Sequence, residues 1–102
     1  MQQVSKIACN NNGGFVMKFR VRLGTGKLSS SWTGNYPVNQ SKTMDLRELG
    51  LPPGIEVWPE VDAVLGKTKK AREHVVYDPN TENVATYRVS GTTLNISVDL
   101  LD

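Results

Sequence analysis

The sequence predicts an all-β protein: an antiparallel two-sheet β-sandwich, immunoglobulin-like or jelly-roll-like, of about eight short strands. Three observations carry this. Long segments alternate apolar and polar residues with a strict period of two. Turn-forming clusters fall between the candidate strands. No segment sustains the period of a long helix.

Val4 to Cys9 reads as a first strand, ended by Asn10-Asn11-Asn12-Gly13-Gly14. Phe15 to Leu23 gives the clearest pattern. Phe15, Met17, Phe19, Val21 and Leu23 fall on one face, and Val16, Lys18, Arg20 and Arg22 on the other. Successive strand side chains point to opposite faces, so this segment is half-buried. Gly24-Thr25-Gly26 then turns the chain into a Ser-rich strand, Lys27 to Thr33, built around Leu28 and Trp32. Gly34 to Pro37 is a turn, and Ser41 to Leu46 alternates through Met44 and Leu46. Asp45 to Gly50 has room for one helical turn before Pro52-Pro53 stops it.

Ile55 to Leu65 is the next long strand, with Ile55, Val57, Val61, Ala63 and Leu65 on the core face. Pro59 lacks an N–H to donate, so this strand is expected at an edge or bent there. Glu73 to Tyr77 and Val84 to Val89 are rich in β-branched and aromatic residues. The last strand runs from Thr92 to Leu100, with Thr92, Leu94, Ile96, Val98 and Leu100 on one face.

Composition narrows the functional classes. With 102 residues, the chain fits one domain, 1–102. Its 38% hydrophobic and 22% charged residues suit a folded core rather than a disordered chain. A net charge of +2 is too small to make nucleic acid the expected partner. A single cysteine, Cys9, cannot form an internal disulfide, and no apolar leader precedes Lys6. Together these point to a cytoplasmic location. No run is apolar enough for a transmembrane segment.

Catalytic chemistry finds little to work with. His74 is the only histidine, and there is no Gly-x-Ser-x-Gly elbow. One cysteine and one histidine do not make a zinc centre, so no metal site is expected. Gly24-Thr25-Gly26-Lys27 lacks the helix that a phosphate loop feeds and reads as a hairpin turn. Glu56, Glu60 and Asp62 share one strand face with a spacing that a paired-carboxylate hydrolase would accept. They also suit a simpler role, opposite the basic face Lys18, Arg20 and Arg22. The expectation is a non-catalytic module without a cofactor.

Two binding surfaces stand out. Trp58 projects with Glu56, Glu60 and Asp62 away from the predicted core. The segment Trp32, Asn35, Tyr36, Asn39 and Gln40 mixes rings with amides. Rings pack on the C–H faces of sugars and amides pair with their hydroxyls, so a lectin-like, carbohydrate-binding module is the leading expectation. The alternative is a protein- or membrane-interaction module, such as a small toxin, effector or assembly protein. It would use the basic loop Lys67, Lys69, Lys70 and Arg72. Exposed edge strands would permit a homo-oligomer.

Overall fold

The computed structural model describes residues 1–101 and, among these, places ten strands in two packed sheets. They are β1 (Gln3–Val4), β2 (Lys6–Asn11), β3 (Met17–Leu23), β4 (Leu28–Ser29) and β5 (Ser41–Asp45). After a 3-10 turn at Leu46–Leu49 come β6 (Glu56–Ala63), β7 (Thr68–Lys70), β8 (Val75–Tyr77), β9 (Val84–Thr92) and β10 (Asn95–Leu100). The larger sheet runs β1-β8-β6-β3-β4, with β7 also paired to β6. The smaller runs β10-β9-β2-β5.

The expected sandwich is present, with differences that have physical causes. The pairs β1–β8 and β2–β9 are parallel, so the sheets are mixed rather than wholly antiparallel. The first strand is split at Ser5, where the chain passes from one sheet to the other. Ser5 N–H donates to the Asn83 carbonyl, and the Ser5 carbonyl accepts from Leu46 N–H. Val4 and Ile7, on either side, are both fully buried. One short segment therefore belongs to both layers, which is how a sandwich closes a corner.

Phe15, Met17, Phe19 and Val21 lie inward as their alternation requires, against Ile7, Cys9, Ala85, Tyr87 and Val89. The Ser-rich segment forms only the short β4, yet it continues along β3. The Ser30 and Thr33 hydroxyls accept hydrogen bonds from Val21 N–H (2.9 Å) and Phe19 N–H (3.1 Å). Hydroxyls thus stand in for ladder carbonyls along an edge.

Pro59 does not mark an edge. β6 is central, with β3 on one side and β8 and β7 on the other. Pro59 faces the gap between β8 and β7, where its carbonyl accepts from Ala71 N–H at 2.9 Å. The missing donor therefore falls where the outer partner is interrupted, and the ladder to β3 loses nothing.

Two other expectations fail at strand ends. Leu65 and Leu94 do not join the core. Leu65 follows β6 in a left-handed conformation (φ 61°) and is 100% exposed. Leu94 sits at the tip of the β9–β10 hairpin and is 68% exposed. Alternation holds only while the ladder lasts, and both residues lie just beyond it.

On the outer face of the larger sheet, the register pairs Lys18 with Asp62, Arg20 with Glu60 and Arg22 with Trp58. Glu60 is only 5% exposed. It accepts from Arg20 Nε at 2.7 Å and from Arg22 Nε at 3.1 Å. The acidic face of β6 complements the basic face of β3 and is not arranged as a catalytic pair.

At the opposite end from the β9–β10 tip, Arg47 donates to both Asp45 and Glu82, and Lys6 donates to Glu82. Hydrogen bonds from Arg47 are the main reason that both carboxyls sit below the usual carboxylate range. Both are more acidic folded than unfolded. Their stabilisation is therefore present at neutral pH and lost as pH falls through the ordinary carboxylate range to the lowered native values.

Two outcomes follow. In urea unfolding, Glu60→Ala is expected to cost about 3 kcal/mol, because two guanidiniums lose a buried partner. Asp62→Asn should cost under about 0.5 kcal/mol at its half-buried position. Acid titration of stability is expected to steepen below the ordinary carboxylate range, with a shallower slope in Glu82→Gln. An unchanged slope would remove Glu82 from the account.

Candidate functional site

The aromatic and amide residues singled out by sequence do not converge. Tyr36 bridges to Met17 and is 1% exposed, with its hydroxyl donating to the Cys9 carbonyl at 2.9 Å. Burial, and then the neighbouring Cys9, raises the Tyr36 hydroxyl well above its ordinary pKa. Burial alone raises the Cys9 thiol in the same way. Neither group is available to a ligand.

Trp58 does point outward, but it is covered and only 7% exposed. The His74 ring stacks on it at 3.8 Å and 8°, and His74 Nδ1 lies 2.7 Å from Glu56 Oε1. The turn before β4 also packs against the indole. A Cβ on Gly26 would lie 3.2 Å from the indole, at a φ of 90° that favours glycine.

Trp32 is half-buried on the same sheet face, with Arg20 at 4.3 Å and Lys18 at 5.0 Å from its ring. Its π-face is therefore engaged by cations. Asn35 and Asn39 are exposed on the following loop, and Asn39 and Gln40 border a shallow amide-lined depression of about 320 Å3. Neither tryptophan lines that depression. A stacked sugar would need ring and amides on one face, and the fold separates them.

The basic residues do come together. Lys67, Lys69, Lys70 and Arg72 are all exposed along β7 and its flanks. Lys70 lies opposite Glu60 and so shares the outward face, whereas Lys69 lies opposite core-facing Val61 and so shares the inward one. Between β7 and β10 the two sheets part. The cleft there has two adjoining portions of about 250 and 240 Å3, both bordered by Lys69, Asn95 and Ile96.

Sequence reasoning missed the apex beside this cleft. Three loops meet there and are tied by main-chain bonds. Gly14 N–H donates to the Gly91 carbonyl (3.0 Å), Val64 N–H to the Val16 carbonyl (2.9 Å), and Lys67 N–H to the Thr93 carbonyl (2.9 Å). A Cβ on Gly66 would stand 2.5 Å from the Thr93 oxygen, so only glycine allows this approach. The loops carry Leu65, Leu94 and the 41%-exposed Val16 on their outer side. The signal was present in Leu65-Gly66 and in Leu94 beside Gly91. Each leucine sits at a turn, where strand alternation no longer governs it.

No family model matches this chain, and no curated protein sequence does. Solved structures do. The membrane-binding domain of pneumolysin matches with a TM-score of 0.51 at 15% identity, over 96% of each chain. Pneumolysin itself gives a TM-score of 0.50 at 12% identity, over 95% of this chain and 23% of that one. A disulfide-locked mutant of intermedilysin with human CD59 gives 0.50 at 22% identity, over 95% of this chain and 24% of that one. The chain thus spans about a quarter of the length of those longer proteins. The likeness is one of fold: an all-β, two-sheet sandwich of ten strands like that membrane-binding domain.

The lectin-like, carbohydrate-binding expectation is overturned. The fold it shares belongs to a membrane-binding domain, and of the rings expected to stack on a sugar, Tyr36 is buried, Trp58 is covered by His74 and Trp32 is engaged by Arg20 and Lys18. That likeness is to a binding domain and accords with the expectation that the chain is not an enzyme.

The tied loops make the apex testable. Gly66→Ala is expected to lower stability by about 1–3 kcal/mol in thermal unfolding, since a backbone oxygen must move. It should also speed hydrogen exchange at the Lys67 amide. An unaffected Lys67 amide would mean that the two loops are not coupled.

Proposed function

We propose that this chain is a non-catalytic, membrane-surface-binding domain that meets the bilayer with its apex. One observation carries the reading: Leu65 and Leu94 stand exposed on adjacent loops that are held by main-chain hydrogen bonds. An aliphatic side chain in water forgoes roughly 1.5–3 kcal/mol of burial. Two held outward together suggest a surface meant to be covered. The loops are already ordered, so insertion carries little further entropic cost.

Other features support the same surface. The β10 strand leads away from the apex, and β2, β6 and β9 lead into it, so the sandwich stands end-on behind the leucines. The exposed cations of β7 lie directly behind, and anchoring to a membrane generally needs both an apolar and a basic contribution. The matched domain of pneumolysin is itself membrane-binding. No helix among the described residues is long and apolar enough to cross a membrane, so the proposed contact is at the surface.

Vesicle co-sedimentation checks this. Each of Leu65→Gln and Leu94→Gln is expected to weaken partitioning about tenfold or more, from about 1.5–3 kcal/mol per leucine. The unfolding temperature should not change, since both side chains are outside the core. Retained binding in the double variant would refute the apex as the contact.

A further inference from the structure

The geometry points to a binding site for the phosphate of an anionic lipid headgroup in the cleft between β7 and the start of β10. The site rests on the membrane reading above and adds a lipid class to it. Its walls are Lys67, Thr68, Lys69, Leu94, Asn95 and Ile96, around about 240 Å3. The donors are two ammoniums, a hydroxyl and an amide, and among the described residues no carboxylate lines this portion of the cleft. The adjoining portion is lined by Lys69, Lys70 and Arg72 but also by Glu73 and Asp99, which disfavour an anion there. Among the described residues, none of Lys67, Lys69, Lys70 or Arg72 takes part in an ion pair, whereas Arg20 and Arg22 pair with Glu60, and Lys6 and Arg47 with Glu82.

Position selects the source of the phosphate. Leu94 is both an apex residue and a wall of the cleft. With the leucines in the acyl boundary, Lys67 and Lys69 stand at headgroup depth. This portion of the cleft by itself is below the range of pockets that enclose whole drug-sized ligands, and it suits a headgroup whose chains remain in the bilayer. Lys69 shares the inward face with Val61, so its ammonium is directed over the gap between the sheets. An inward lysine also discourages edge-to-edge pairing. That role needs one cation, and it does not account for Lys67 or for the Thr68 and Asn95 donors beside it.

The test uses the full chain with two kinds of vesicle, phosphatidylcholine alone and phosphatidylcholine with phosphatidylserine. Lys67→Gln/Lys69→Gln is compared with Lys27→Gln/Arg88→Gln, which removes the same charge at exposed positions outside the cleft. The wild type is expected to prefer the phosphatidylserine vesicles. The cleft variant should lose that preference, by about fivefold for each lysine, and still bind neutral vesicles. The control should keep most of it. Equal losses in both variants would reduce the effect to net charge and overturn the site. So would equal binding of both vesicles by the wild type, which leaves the leucine contact standing. Binding to neither vesicle overturns both readings. Glycerophosphoserine and inorganic phosphate, titrated separately while amide shifts are followed, separate the sources. Shifts at Thr68 and Asn95 with glycerophosphoserine support the headgroup. Shifts with inorganic phosphate alone would make this a free-anion site and overturn the lipid assignment.

Discussion

The ladder between β3 and β6 is the constraint on which the rest of the molecule depends. Its register runs from Met17 opposite Ala63 to Leu23 opposite Val57. A slip of one residue would turn Phe19 and Val21 to solvent and Arg20 and Arg22 into the core. Hydrophobic alternation resists that slip from the inner side. Glu60 resists it from the outer side, because only this register places its buried carboxylate between Arg20 and Arg22. A buried ion pair adds little net stability compared with an apolar pair, but it penalises the wrong alignment heavily. Here its contribution is specificity.

With that ladder set, the two ends of the sandwich diverge in character. One end is closed by charge, through Lys6, Asp45, Arg47 and Glu82. The other is closed by main-chain bonds between loops, leaving side chains free to face outward. A loop held by its own side chains has none to offer a partner. A loop held by backbone, with Gly66 allowing the close approach, can present Leu65 and Leu94 without collapsing onto them. Rigid presentation of apolar groups is what surface binding requires, since ordering them on contact would consume much of the affinity.

Fold likeness and local geometry bear on function differently. A sandwich of two sheets supports many functions, and similarity at 12–22% identity speaks to architecture. The features that distinguish this chain are its apex and the open side of the sheets. β7 is short and ends where Pro59 interrupts the pairing, and the sheets separate beside β10. Pro59, expected to place β6 at an edge or to bend it, lies in a central strand and shapes the flank on which the cations lie.

Sequence by itself determined the class of fold and the inner face of β3. Period-two alternation is a local property, and burial of one face follows from it directly. The complementarity of Lys18, Arg20 and Arg22 with Glu60 and Asp62 was also legible, as was the basic cluster at Lys67 to Arg72. Tertiary structure alone decided which outward residues stay free. Trp58 pointed away from the core as its position required, and only the packing of His74 and Gly26 against it, both distant in sequence, removed it from solvent. Tyr36 was buried by its bridge to Met17 and its bond to Cys9. Leu65 and Leu94 were exposed because strands end where hydrogen-bonded partners end, and those partners are chosen by the whole sheet. Alternation tells which way a side chain points, and only the neighbours brought by folding settle what it meets there.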